Sequence, residues 1–305
     1  MIFSLSTSWN SFRHTSGIDL INEIRSIGFD TVELNFALTE DMVDDVRSLR
    51  DEGKISVSSL HNICPLPAGI RPEEASPDCY SLASPDEKER ALAVRAAKNT
   101  IDWAGRLGAG AVVLHTGRVE MKDRTRELAS AAGDAVLEKE IREAMAGERE
   151  EKKGGYLGNV IKSLEELIPY AKGPGVRLGV ENRYYYREIP LFDEFETLFK
   201  RFRVGDLFYW HDVGHAQVFE NLGILRHEDL LKKFSGRLLG VHLHDIISPI
   251  SDHHAPGRGE IDFRMIAPYI KSGTIKVIEA HRQASADDIR RSVHYLKEMG
   301  IGDGR

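Results

Sequence analysis

The chain has 305 residues, of which 41% are hydrophobic and 29% charged, with a formal net charge of −7. That length exceeds an ordinary domain but suits a single α/β barrel, and no apolar run approaches the ~20 residues of a membrane-spanning helix. The acidic balance disfavours a broad nucleic-acid footprint, and the two cysteines, Cys64 and Cys79, form no CxxC pair and no disulfide framework. The opening MIFSLSTSWN lacks a basic segment, a long apolar core and a small-residue cleavage site, so a cytoplasmic location without membrane association is expected.

Apolar or β-branched runs then alternate with segments of helical period, the pattern of βαβ units around a parallel sheet. The first strand is expected over residues 2–8 with a helix over 18–27, the second over 31–36 with a helix over 40–52 capped by Thr39. The third runs over 55–61 with a helix over 86–107, the fourth over 111–116 with a helix over 157–171, and the fifth over 176–181 with a helix over 192–202. The sixth spans 207–212 with a helix over 227–234, the seventh 239–244 with a helix over 263–271, and the eighth 274–280 with a helix over 286–299 capped by Ser285. Gly28, Gly53, Gly108, Gly173 and Gly300 stand just past helix ends.

Eight such pairs predict closure into an α/β fold, a single (β/α)8 TIM barrel forming one domain over residues 1–305. An open doubly wound sheet is less suited, because no glycine-rich phosphate loop follows the first strand. Two segments exceed a minimal barrel. Residues 62–85 hold five prolines and read as a structured loop walling a pocket. Residues 119–155, rich in Ala, Glu, Arg and Lys, read as a helical insertion after the fourth strand, either a lid or a solvated appendage.

Six consecutive strands end with a side chain able to bind metal: His61, His115, Glu181, Asp212 followed by His215, His242, and Glu279. One such residue is more often a hydrogen-bonded structural group. Six in succession converge on the face where barrel active sites lie, and imidazole with carboxylate suits Zn²⁺ or Mn²⁺. In VHLHD, alternation sends His242 and His244 to one side; His242 is the metal candidate, and His244 either supports a metal ligand, holds substrate or faces solvent. His211 is expected to face away from its neighbour Asp212. The later SDHHAPGRGEIDF adds Asp252 and His254 as an Asp-x-His pair for one ion, with Gly257 and Gly259 allowing turns close to a ligand.

With LHN, LHTG, VEN, HDVGHA, VHLHD, DHHAPGRGEIDF and VIEAH in this order, nearly the whole chain resembles the xylose isomerase-like TIM-barrel superfamily. That superfamily includes sugar isomerases, sugar epimerases and the AP-endonuclease family 2 (endonuclease IV) enzymes. The resemblance implies a one-ion isomerase or epimerase centre of Glu181, Asp212, His242 and Glu279. The endonuclease branch implies up to three zinc ions, with His61, His115, His215, Asp252 and His254 as the further ligands. The sequence departs from that branch at its start, where a segment reading roughly Gly-Ala-His-Val-Ser is replaced by FSLSTSWN, and none of the DNA-contacting loops is recognisable.

The leading expectation is therefore isomerisation or epimerisation of a small sugar or keto-polyol, with Glu181 and Glu279 transferring the proton. His215, His244, Arg183 and Arg258 would hold hydroxyl groups, and Trp9, Phe36 or Trp210 would stack on a sugar face unless they fill the core. The alternative is a trinuclear-zinc phosphoester hydrolase. A non-catalytic metal or sugar binding protein is a third reading, and dimers or tetramers are common among the proteins this sequence resembles.

Overall fold

A computed structural model of the chain describes residues 3–302. Ile2, the first residue of the expected first strand, lies outside them. Eight parallel strands close into a barrel: β1 (Ser4–Ser6), β2 (Thr31–Leu34), β3 (Ser56–His61), β4 (Ala111–Leu114), β5 (Arg177–Glu181), β6 (Phe208–Asp212), β7 (Leu238–Leu243) and, last in the ring, β10 (Ile275–Ile278). Each pairs with its sequence neighbour, and β10 closes the ring against β1, with Leu5 opposite Ile278. Between β7 and β10, β8 (Asp245–Ile247) and β9 (Ser251–His254) form an antiparallel hairpin above the barrel.

The helices are α1 (Gly17–Ser26), α2 (Glu40–Asp51), α3 (Glu87–Leu107), α4 (Thr125–Ser130), α5 (Ala135–Lys152), α6 (Tyr156–Lys172), α7 (Phe192–Arg201), α8 (Val213–Asn221), α9 (His227–Phe234), α10 (Phe263–Ile266) and α11 (Ala286–Glu298). Thr39 caps α2 by accepting from Met42 N–H, and Ser285 caps α11 in a reciprocal box with Asp288. Among the described residues, no helix is long and apolar enough to cross a membrane.

Three elements differ from expectation. The first strand is only Ser4–Ser6, because a single 3-10 turn over Thr7–Trp9 diverts the chain. The helix expected over 263–271 is one turn, α10, since Pro268 cannot donate a backbone hydrogen bond. Helix α8, unexpected, starts directly after β6: Asp212 is its N-cap, its carboxylate accepting from His215 N–H at 2.7 Å.

The insertion is more firmly held than a solvated appendage. Ile141, Met145 and Arg149 of α5 are buried, and Arg149 makes a two-oxygen ion pair with Glu194 of α7 at 2.7–2.8 Å.

Candidate metal centre

The strand ends meet around the imidazole of His242. Its Nδ1 lies 2.6 Å from Glu181 Oε1, 2.9 Å from Glu279 Oε2 and 3.6 Å from Asp212 Oδ2. All four side chains are buried, and one ligand atom from each lies within 4.8 Å of the others. Burial opposes a charge on His242, but the carboxylates of Glu279, Glu33 and Glu181 outweigh it and hold its pKa well above the usual range. Burial likewise pushes the carboxyls of Glu181 and Glu279 up, and the adjacent histidines take both down to about 2. Three carboxylates and one imidazole, buried together with a single guanidinium nearby, Arg183 Nη1 at 3.9 Å from Glu181 Oε2, form a donor set that fits a divalent cation.

Glu181 also faces outward. Its Oε2 lies 2.6 Å from His115 Nε2 and 3.6 Å from His61 Nε2, and the two imidazoles meet edge to face at 4.6 Å. His61, His115 and Glu181 form a second group of potential ligands. A third comprises Asp212, His215, His244 and His253. His244 is buried, with Nε2 at 2.9 and 3.0 Å from the two oxygens of Asp212. A side chain at Gly214 is excluded here: a Cβ would fall 2.0 Å from His244 Cε1. His215 turns Nδ1 to Asn182 O at 3.1 Å, and its Nε2 stands 3.9 Å from Asp252 Oδ2. His211 points outward, to Tyr209 and His227.

Several expected sites are placed differently. His254 does not join Asp252; its Nε2 lies 2.9 Å from Ser251 Oγ. His253 turns inward instead, 2.9 Å from Asp252 and stacked between the rings of His244 and His281 at 4.1 and 3.7 Å. The cause is backbone conformation. His253 has φ +55°, held by bonds from His281 N–H and Gln283 Nε2 to its carbonyl, so strand alternation fails there. The N–H groups of Gly257 and Gly259 both donate to Asp245 Oδ2 at 2.9 Å, wrapping the loop around that buried carboxylate. Arg258 is thereby carried away from the mouth, exposed and paired with Asp288. Trp9 is core, 1% exposed, its indole N–H donating to Ala284 O. Trp210 is also core, its ring against His242 at 5.2 Å, while Phe36 presents an edge to His61 at 5.7 Å.

A cavity of about 580 Å³ opens beside the surrounding histidines, lined among others by Asp78, His115, Arg183, Tyr184, His215 and His253. The proline-rich loop supplies Asp78, and α4 of the insertion supplies Arg126. Arg183 Nη2 is engaged by Asp78 at 2.8 Å and Glu188 at 2.6 Å, so it braces the wall. Four inward-facing groups had escaped sequence reasoning: Glu33, Asp78, His253 and His281. Of these His281 carried a signal, since in VIEAH it is two residues from Glu279 and alternation puts both on one side.

A family model described as Xylose isomerase-like TIM barrel matches residues 21–299. The chain belongs to that family. Among solved structures of this xylose isomerase-like fold, a D-tagatose 3-epimerase-like protein superposes with a TM-score of 0.70 at 20% identity, over 98% of this chain and 97% of the other. The 3-keto-D-glucoside 4-epimerase YcjR from E. coli gives 0.68 at 15% identity, over 98% and 99%. A zinc-bound IolI protein gives 0.66 at 14% identity, over 99% and 98%. At these identities the likeness is one of fold. In sequence, an uncharacterised protein of Methanocaldococcus jannaschii, MJ1614, is 28% identical over 144 residues, 47% of this chain and 54% of that protein, so the match spans about half the curated relative.

Proposed function

We infer that this protein is a divalent-metal isomerase or epimerase of a small sugar or keto-polyol, with Glu181, Asp212, His242 and Glu279 holding the ion. The observation that carries this reading is the convergence of three buried carboxylates on His242 Nδ1, at 2.6, 2.9 and 3.6 Å. Such a charge cluster is costly in a barrel interior unless a cation offsets it, and mixed oxygen and nitrogen donors suit zinc or manganese. A bound ion supplies Lewis-acid polarisation of a substrate carbonyl.

In this reading Glu181 and Glu279 take a proton from the carbon beside that carbonyl and return one. His215 lines the cavity and offers Nε2 to a substrate hydroxyl, while His244 fixes Asp212 through both its oxygens. Arg183 stiffens the wall through Asp78 and Glu188. The sugar epimerases among proteins of this fold support a sugar-like substrate.

One observation favours a second reading, a zinc-dependent phosphoester hydrolase using several ions. His61, His115 and Glu181 form one further ligand group and Asp212, His215, His244 and His253 another, more donors than a single ion needs. A metal count on purified protein, followed by a screen of free ketoses, inositol-type keto-polyols and abasic-site DNA, separates the two. One ion per chain with turnover of a keto-sugar supports the isomerase; three zinc ions with cleavage of DNA supports the hydrolase.

A further inference from the structure

Glu33 is a fully buried carboxylate in the middle of β2, where the sequence reads as an apolar strand. Its place in the register makes it tolerable, because it lies beside Ser6 of β1 and Ser59 of β3. Ser59 Oγ donates to Glu33 Oε2 at 2.7 Å. The other oxygen, Oε1, lies 2.9 Å from His242 Nε2. The imidazole is thus held at both ends, with Nε2 on Glu33 and Nδ1 turned to Glu181, Glu279 and Asp212. Among the described residues, Glu33 makes no ion pair with lysine or arginine.

A histidine that binds a metal through one nitrogen commonly donates its other N–H to a carboxylate, which fixes tautomer and ring orientation and raises the basicity of the ligating nitrogen. Glu33 stands where that group must stand if Nδ1 is the ligand. A carboxylate in a barrel core without such a task is a liability, since it could be replaced by a hydrocarbon of similar size without loss.

We propose that Glu33 is the positioning residue of the metal centre: it accepts the Nε2–H of His242 and thereby presents Nδ1 to the ion, with Ser59 holding the carboxylate in place. This role rests on the metal centre inferred above. It also assigns ligation to Nδ1, which the position of His242 in the sequence does not reveal.

The test uses the full chain as wild type, Glu33→Leu and Glu33→Gln, with zinc affinity measured by chelator competition and melting temperature measured on the metal-free proteins. Glu33→Leu is expected to bind zinc about 10–100-fold more weakly. Its metal-free melting temperature should stay level or rise, because one of four crowded carboxylates is gone. Glu33→Gln, whose amide oxygen can still accept from Nε2–H, should recover part of the affinity. In the zinc-loaded wild type, the ¹⁵N signals of His242 should report a protonated Nε2 and a ligated Nδ1. Binding within twofold of wild type in both variants overturns the role while leaving the metal centre intact. A fall in metal-free stability alongside weak binding in both variants assigns Glu33 to the fold and overturns it equally. Wild-type protein that takes up no zinc overturns the metal centre itself.

Discussion

Glu181 divides its two oxygens between two histidines, Oε1 at 2.6 Å from His242 Nδ1 and Oε2 at 2.6 Å from His115 Nε2. One carboxylate therefore joins the inner four-residue group to the outer pair of His61 and His115. Its neutral amide analogue keeps the shape but loses the charge and the ability to accept a proton. We predict that Glu181→Gln and Glu279→Gln each lower kcat by about 100-fold or more on a substrate from the keto-sugar screen. Steady-state kinetics on both variants check this; activity within tenfold of wild type in both removes the proton-transfer role.

Gly214 lies within α8, where glycine-to-alanine changes ordinarily stabilise by about 0.5–1 kcal/mol. Here the sign should reverse. The added Cβ would meet the His244 ring at 2.0 Å, and overpacking of this kind costs about 1–3 kcal/mol. Thermal or urea unfolding of Gly214→Ala should show lower stability; a stabilised variant means that His244 is not packed against this turn.

The pair His211–His227 predicts a pH dependence. Burial takes His227 from its ordinary 6.5 down to about 4, so the folded state keeps it neutral while the unfolded chain takes up a proton as pH falls below 6.5. Stability from this group is present above pH 6.5 and lost between 6.5 and about 4. Urea titrations at pH 7 and pH 5 should show wild type losing about 2 kcal/mol more than His227→Gln over that interval. Equal losses would place the acid sensitivity elsewhere.

The ion pair between Arg149 and Glu194 ties the insertion to α7 with side chains only 3–4% exposed. Removing one partner leaves a buried charge unmatched, so Arg149→Ala should cost about 3–5 kcal/mol, and Arg149→Leu with Glu194→Leu together distinctly less. Limited proteolysis within residues 119–155 should accelerate in the single variant. An unchanged cleavage rate means the insertion is held by other contacts.

The barrel was legible because its strands are short apolar or β-branched runs bounded by turn residues, and the strand-end candidates stood out because an imidazole or carboxylate ends six of those runs. What escaped was decided by contacts between distant segments. Glu33 sits between Val32 and Leu34 with nothing local to mark its bond to His242, 209 residues away. The exchange of His254 for His253 turns on one left-handed backbone angle fixed by His281 and Gln283. The loop glycines were recognised as tight-turn residues, but their target, Asp245, was the last residue of a motif read only for its histidines. Helix α8 was hidden because Gly214 and His215 are weak helix formers, and its start depends on Asp212, a buried carboxylate that also caps the helix.

Whether Glu181, Asp212, His242 and Glu279 hold a divalent ion is decided by elemental analysis of purified protein. Wild type should carry at least one divalent ion per chain, and a variant with His242→Ala and Glu279→Ala should carry one fewer. Wild-type protein free of metal after exposure to zinc and manganese, or a variant with the same metal content as wild type, would contradict it.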